Sequence, residues 1–360
     1  MKHDHLLVIR FSALGDVAMT VPVIWALAQE YPDMRITVLS RNSSRPFFEG
    51  LAPNVNFMGA DIKGEYHGIK GLNALYRRLV AKQFTCVADL HGVLRSNYLR
   101  FRFRLGHYRV EHIDKHRHQR HLLVAPGKKK RLKPLPTSFQ NYVDVFTRLG
   151  LDVDLQKHHF TTLLDPNVPL ASPVNSLLMS QPAGPRIGIA PFAAHKGKIY
   201  PIERTYEVIE RLVARYPDCR IYLFGRGVEE EKVFNEWTKQ TPQCIFAGSH
   251  VEDMHQELEL MSRLDVMLTM DSANMHMASL VGTKVVSVWG ATHPLAGFMG
   301  WNQSEANAVQ IADLDCRPCS IYGNKPCLRG DYACLNRITP DMIVEKIVNI
   351  INPLKTEQKL

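Results

Sequence analysis

The sequence predicts an α/β chain made of two Rossmann-like domains in tandem. Its 360 residues exceed what one compact core usually holds, so two domains of about 150–180 residues each are expected. Both halves also open alike, with a short apolar strand, a loop, and a helix that a Tyr-Pro-Asp stops before a β-rich run resumes. These stretches read "ALAQEYPDMRITVLS" in the first half and "VIERLVARYPDCRIYLFG" in the second.

The remaining elements follow in chain order. Strands are predicted at 6–9, 86–90, 186–190, 244–248, 266–270 and 285–290. Apolar strands that alternate with helical stretches indicate parallel sheets covered on both faces. Pro22 would break a helix begun at Asp16, so we expect one turn at 16–20 and the main helix from Pro22. Near the end, Thr339 as N-cap and Pro340 as first helical residue predict a closing helix.

Domain boundaries follow from composition. Five prolines between 165 and 185 indicate a linker between the halves. We therefore expect a first domain at 1–165, a linker at 166–185, a second domain at 186–338, and the closing helix with its tail at 339–360.

Charge is concentrated in one stretch. The chain carries a net charge of +9, yet 95–133 alone holds thirteen Lys and Arg against two acidic residues, which leaves the rest near −2. Such a stretch suggests an anionic partner, namely nucleic acid, anionic lipid headgroups or a phosphorylated sugar, and its bland alternative is a solvated loop face. A secretory leader pattern and an apolar run of about 18 residues are both missing from the sequence, so we expect a cytoplasmic location.

The first chemical motif is "FSALGDVAMTVPVIWAL" at 11–27. A strand, a loop ending in Gly15, and a helix place Asp16 at the carboxyl edge of a parallel sheet, where open α/β folds bind ligands. The alternative is a carboxylate that only caps the helix or complements its dipole.

A second motif lies in "LTMDSANMHMASLVGTKVVSVWGATHP" at 268–294. Small residues at a helix start leave backbone N–H groups for a phosphate, here at Ser272, Ala273 and Asn274. Asp271 would accept hydrogen bonds from sugar hydroxyls, with His276 in the same helix. The alternative is an N-cap aspartate with a core histidine.

A third and a fourth motif carry further charges. In "PFAAHKGKIYP" (191–201), Lys196 and Lys198 sit on a loop where an ammonium can neutralise a departing phosphate. "FGRGVEE" (224–230) imitates a dinucleotide fingerprint but has Glu230 at the third glycine position, so Glu229 or Glu230 is better interpreted as a ribose ligand than as part of an NAD site.

Four of the seven cysteines form a late C-x2-C-x7-C-x6-C cluster. A structural zinc site and reduced thiols that pack a loop both remain open for these residues, which are Cys316, Cys319, Cys327 and Cys334.

Six pieces of the sequence follow one another along the chain: "RFSALGDVAMTVP", "DLHGVLRS", "HKGKIYP", "FGRGVEEE", "MDSANMH" and the cysteine cluster. As an ordered set they resemble the ADP-heptose:lipopolysaccharide heptosyltransferase family, the family 9 glycosyltransferases. The resemblance implies a GT-B fold, with parallel sheets facing a central cleft. It also implies that Asp16 is the catalytic base, that Lys198 binds phosphate, and that Asp271 and His276 form the donor-site pair. Many members carry hydroxyls where this chain has Ala193 and Ala194.

The function implied is an inverting, metal-independent transfer of heptose from ADP-heptose to a lipid A core acceptor. Positive potential from lysine and a helix dipole would stabilise the leaving diphosphate, so no cofactor is required beyond the open question of zinc. We expect the first domain to bind the acceptor and the second the nucleotide sugar, in a monomer that contacts the inner membrane peripherally. The acceptor-binding residues would be Ser12, Gly15, His91, Arg95, Arg117 and Arg120.

Three alternatives remain. A glycosyltransferase of the same mechanism could use another nucleotide sugar. A nucleic-acid-binding protein would use the basic stretch and a zinc knuckle, yet it leaves Asp16, Lys198 and Asp271 unexplained and lacks interleaved aromatic platforms, so we expect no nucleic-acid partner. An epimerase acting on nucleotide sugars would share the fold and need no lipid acceptor.

Overall fold

The computed structural model describes residues 5–165, 167–180 and 183–353. Within them the chain forms two compact units. The N-terminal unit comprises 5–116 and 136–163, and the C-terminal unit comprises 117–135 and 164–353.

The N-terminal unit holds a parallel sheet of five strands. Its strands are β1 (His5–Ile9), β2 (Arg35–Ser40), β3 (Val55–Gly59), β4 (Cys86–Asp89) and β5 (Arg109–His112), in the spatial order β3-β2-β1-β4-β5. Leu6 to Ile9 are fully buried at the centre of this sheet, which explains their continuous apolar pattern. In the register, Ile9 lies opposite Asp89, so β1 and β4 end side by side at one edge of the sheet.

The C-terminal unit repeats this plan with six parallel strands. They are β6 (Arg186–Ala190), β7 (Arg220–Leu223), β8 (Cys244–Phe246), β9 (Val266–Met270), β10 (Val285–Val288) and β11 (Ala308–Val309), in the order β11-β10-β9-β6-β7-β8. In both sheets the first strand is central and the order reverses beside it, as in doubly wound Rossmann folds. The predicted tandem architecture is confirmed, although β3, β5 and β11 were not among the predicted strands.

Helices cover the sheets. In chain order they are α1 (Leu14–Ala18), α2 (Val21–Glu30), α3 (Gly68–Val80), α4 (Leu94–Leu105), α5 (Arg117–Leu123), α6 (Ser138–Arg148), α7 (Ser172–Met179), α8 (Ile202–Arg215), α9 (Val228–Gln240), α10 (Met254–Met261), α11 (Ala273–Leu280), α12 (Ala333–Asn336) and α13 (Pro340–Ile351). None of the helices within the described residues is long and apolar enough to cross a membrane.

The break predicted in the first helical region is confirmed. The one-turn helix α1 ends at Ala18, and α2 starts at Val21 with Pro22 in its first turn, where a proline costs no hydrogen bond. The closing helix α13 is also confirmed. Thr339 accepts a hydrogen bond from the Met342 amide at 3.4 Å, while residues 354–360 of the predicted tail lie outside the described part of the chain.

Two segments differ from the expected domain boundaries. The predicted linker contains α7, because Val174, Leu177 and Leu178 are buried; residues 166, 181 and 182 of that linker are not described. Residues 117–135, expected in the first domain, belong to the C-terminal unit. They are fastened there by the Lys130 ammonium, which donates to the Asp315 carbonyl at 2.7 Å, and by the Leu135 amide, which donates to the Leu295 carbonyl at 2.9 Å.

Candidate active site

In the N-terminal unit, a candidate site lies at the carboxyl edge of β1 and β4. Asp16 is the third residue of α1, and its side chain is 31% exposed. Its Oδ2 lies 2.6 Å from Arg10 Nη2 and accepts a hydrogen bond from the Ala13 amide at 3.1 Å. The Tyr142 hydroxyl, from α6, donates to the Asp16 carbonyl at 3.2 Å. Asp16 therefore both caps its own helical turn and presents an oriented, partly exposed carboxylate.

Arg10 forms the ion pair with this carboxylate, and the sequence did not predict this role. It follows β1 directly, is buried, and donates through Nη1 to the Leu90 carbonyl at 2.5 Å. Burial lowers the pKa of Arg10, but Asp16, Tyr142 and Asp89 together outweigh burial and the pKa is raised. Its only sequence signal is a cation placed directly after a buried strand.

The loop after β4 brings two predicted acceptor residues together. Ser12 Oγ and His91 Nε2 lie 3.3 Å apart in a hydrogen bond. Fully buried Asp89 fixes this loop, because its Oδ1 accepts hydrogen bonds from the amides of His91 and Gly92 at 2.9 and 3.0 Å. Burial, followed by the charge of Arg10, lowers the pKa of His91 to about 3. His91 is therefore neutral near pH 7 and can only donate or accept hydrogen bonds there.

The two other acceptor residues predicted in this unit are not part of the Ser12–His91 hydrogen bond. Gly15 is buried inside α1, and Arg95 is exposed in the first turn of α4.

In the C-terminal unit, another candidate site lies at the carboxyl edge of β6 and β9. Lys198, in a short 3-10 turn after β6, places its Nζ 2.8 Å from Asp271 Oδ2, and both side chains are largely buried. The Asp271 amide donates to the Val288 carbonyl at 3.2 Å, which ties the residue after β9 to β10. Sequence patterns on two separate strands thus predicted residues that form one ion pair.

The helix α11 starts beside this pair. Ser272 precedes its first turn, Ala273 and Asn274 are half-buried within it, and His276 is buried one turn on. The first N–H groups of a helix have no partner inside the helix and can bind an anion. The arrangement offers an ammonium and helix amides to one negatively charged group.

Glycines shape the backbone around Lys198. A Cβ at Gly323 would lie 2.6 Å from Lys198 Cγ, and the Gly323 φ of +74° favours glycine. A Cβ at Gly197 would lie 2.7 Å from the Gly323 carbonyl oxygen, while the Gly197 carbonyl accepts from the Ala291 amide at 2.8 Å. The segment that carries the cysteines therefore packs directly on the stem of Lys198, a contact that the sequence did not reveal.

The other residues predicted to bind the donor have contact partners other than Lys198 and Asp271. Lys196 is exposed, with its Nζ 5.3 Å from the centre of the Tyr332 ring. Glu229 is exposed in the first turn of α9, and Glu230 Oε2 accepts from the Arg226 amide at 2.9 Å. Burial raises the pKa of Glu230. A ribose-binding role for either glutamate stays a prediction.

Two predicted acceptor residues belong to the C-terminal unit, not to the first domain where they were expected. Arg117 is exposed at the start of α5. Arg120 donates to the Tyr322 hydroxyl at 2.7 Å and lies 5.3 Å from the centre of the Phe298 ring. The basic stretch is thus divided between two units, because α5 packs on the loops of the second sheet.

All four late cysteines line one cavity of about 10 Å³ together with buried Arg317. Burial raises the pKa of Cys334 to about 11 and also raises that of Cys319, which favours neutral thiols. Within the described residues, no three His, Cys, Asp or Glu side chains form a group that could hold a metal ion. Structural zinc and reduced thiols that pack the loop therefore both stay predictions for these cysteines.

Known proteins resemble this chain over most of its length. A curated lipopolysaccharide core heptosyltransferase, OpsX of Haemophilus influenzae, is 22% identical over 304 residues, which cover 81% of this chain and 80% of the relative. Lipooligosaccharide heptosyltransferase 2 of the same species is 23% identical, covering 96% of this chain and 99% of the relative.

Solved structures agree on the fold. The glycosyl transferase family 9 protein of Veillonella parvula superposes with a TM-score of 0.71 at 18% identity, over 98% of both chains. The E. coli ADP-heptose LPS heptosyltransferase II gives a TM-score of 0.64 at 19% identity, over 96% of this chain and 98% of that one. The GT-B fold class expected from the sequence is confirmed.

The family model described as Glycosyltransferase family 9 (heptosyltransferase) matches residues 72–326, well over half of the chain. With the two doubly wound sheets and their polar carboxyl edges, this match identifies the chain as a glycosyltransferase that belongs to family 9.

Proposed function

We propose that the protein moves a heptose from ADP-heptose to a sugar of a lipopolysaccharide core, with inversion at the anomeric carbon. The family description names heptosyltransferases, and the relatives' names include lipopolysaccharide core and lipooligosaccharide heptosyltransferases. The name of one structural neighbour, the E. coli ADP-heptose LPS heptosyltransferase II, includes ADP-heptose. These names support the donor and acceptor classes, and the residues support the chemistry.

The observation that carries the proposal is the Asp16 carboxylate, partly exposed and oriented by buried Arg10 at the carboxyl edge of β1. A general base must be ionised at working pH and fixed within hydrogen-bond reach of the hydroxyl that it deprotonates. Asp16 would take the proton of the acceptor hydroxyl, whose oxygen forms a bond to the anomeric carbon. The bond from that carbon to the diphosphate oxygen breaks, and ADP leaves with the electron pair. Attack opposite the leaving group inverts the configuration.

The C-terminal unit would stabilise the leaving diphosphate. Lys198 brings an ammonium and α11 brings N–H groups, both of which favour a developing negative charge. Asp271 would orient Lys198 in the free enzyme and accept hydrogen bonds from sugar hydroxyls in the complex. This scheme places the required positive potential on the chain itself, so it needs no divalent cation.

The acceptor side would use cations and neutral hydrogen-bonding groups. Ser12 and His91 would bind sugar hydroxyls, because both side chains can donate and accept hydrogen bonds. They are hydrogen-bonded to each other in the loops that follow β1 and β4, the strands whose edge also holds Asp16. Arg95 is exposed in the next helix and would bind an anionic group of the acceptor. We place the enzyme in the cytoplasm, as a monomer in peripheral contact with an anionic membrane surface.

The test is a transfer assay with ADP-heptose against UDP-sugars and GDP-sugars, using a lipid A core acceptor. Asp16→Asn should abolish ADP-heptose transfer, while Asp33→Asn, which changes an exposed carboxylate elsewhere in the same unit, should leave it unchanged. Turnover of a different nucleotide sugar would replace the donor and keep the mechanism. Full activity of Asp16→Asn would refute the assignment of the base.

A further inference from the structure

One helix of the N-terminal unit exposes large apolar side chains. In α4, Leu94 is 86% exposed, Phe101 57% and Leu105 61%. At 100° per residue, these positions lie within about 40° of one another around the helix axis. The opposite side of α4 carries buried Leu99 and Phe103, which join the core. The exposed stripe is therefore a second apolar face, in addition to the one that folding requires.

Arginines flank this stripe on both sides. By the same helical geometry, Arg95 and Arg102 lie on one side and Arg104 on the other, and α4 contains no acidic residue. The guanidinium of Arg102 is held 4.5 Å from the centre of the Tyr76 ring. Arg100 is turned inward, 3.5 Å from Asp89. The exposed face thus combines an apolar stripe with three arginines, and it carries no opposing charge of its own.

We propose that this face of α4 docks on an anionic lipid bilayer. A helix with an apolar stripe between cationic side chains lies in the membrane interface, with the apolar residues among the acyl chains and the arginines at the headgroups. Three side chains are too few for a stable protein interface, which buries about 800 Å² on each partner. A bilayer fits this face better, because it adds electrostatic attraction to a small apolar contact.

The position of α4 gives the docking a use. The helix begins three residues after His91, at the edge of the sheet that presents Asp16. A bilayer bound along α4 would therefore lie near the end of the N-terminal unit where the acceptor is proposed to bind. The docking deepens the membrane contact of the proposed function and rests on it, but it does not depend on the transfer of heptose.

The test is flotation of the full chain with vesicles of phosphatidylcholine, with or without about one-third phosphatidylglycerol. We expect binding only to the anionic vesicles, and weaker binding at high salt because the arginines are screened. Phe101→Ser should lower the partition coefficient about tenfold, since a water-exposed phenylalanine gains by leaving water. Val228→Ser is the control, because Val228 is an apolar residue of the C-terminal unit that is 79% exposed and should not contribute to docking.

Several results would overturn the proposal. They are no binding of the unaltered chain to anionic vesicles, equal losses for Phe101→Ser and Val228→Ser, or a stripe variant that changes the oligomeric state and leaves vesicle binding intact. The last result would indicate a second copy as the occupant. Transfer to a deacylated, water-soluble acceptor should be the same for Phe101→Ser and the unaltered chain. A chain that floats with anionic vesicles but transfers no heptose would refute the proposed function and leave the docking surface standing.

Discussion

The contact between Gly323 and Lys198 allows a sharp test of the proposed donor site. In Gly323→Ala, the new Cβ would lie 2.6 Å from Lys198 Cγ and 3.2 Å from Lys198 Cε, so the lysine stem must move. Gly323 also has a φ of +74°, where a side chain costs about 1–2 kcal/mol. We therefore expect both a loss of stability and a displaced ammonium.

Gly330→Ala separates these two effects. Gly330 lies in the same cysteine-bearing segment with a φ of +79°, and a Cβ there meets no atom within 4 Å. Both variants should lower the free energy of unfolding by about 1–2 kcal/mol in urea titrations. Only Gly323→Ala should weaken ADP binding. A charge-assisted hydrogen bond contributes about 1.5–3 kcal/mol, so partial loss of the Lys198 contact predicts about tenfold weaker binding.

Isothermal titration calorimetry with ADP measures the difference directly. An ADP affinity of Gly323→Ala that matches the unaltered chain would refute the reasoning, because the steric contact with Lys198 would then have no effect on the ligand. Equal weakening in both would attribute the effect to loop stability instead of to the lysine stem.

Further predictions concern the N-terminal unit. Asp16→Asn should lower kcat at least about a hundredfold with ADP affinity within about twofold of the original, and a comparable loss of both would instead indicate a binding role. Arg10→Met should lower the free energy of unfolding by about 2 kcal/mol, and by less in an Asp16→Asn background, because the ion pair is then already broken; additive effects in urea titrations would contradict the pairing. His91 has a pKa of about 3 in the folded chain and about 6.5 when unfolded, so the unfolded state alone gains its proton as the pH falls through 6.5. Between pH 7 and pH 5, protonation of His91 in the unfolded state should lower the free energy of unfolding by about 2 kcal/mol. In His91→Gln, the free energy of unfolding should fall by about 2 kcal/mol less over the same pH range.

The sequence predicted what local patterns determine. Apolar runs located the central strands, Pro22 located the start of the second helix, and two separate motifs predicted Asp271 and Lys198, which form an ion pair. Contacts between distant positions have no such signature. Nothing near Gly323 indicates that it packs on Lys198, and the thirteen cations of 95–133 look alike whichever sheet they pack against.

The path of the chain between the units has a consequence for engineering. Because 117–135 belongs to the C-terminal unit while 136–163 returns to the first, the polypeptide passes from one unit to the other three times. A fragment ending near residue 165 would carry an α5 segment without the loops that hold Arg120 and Lys130. Chimeras that exchange one half with that of a relative should therefore transplant 117–135 together with the C-terminal half. Such a chimera needs three junctions, after residues 116, 135 and 163.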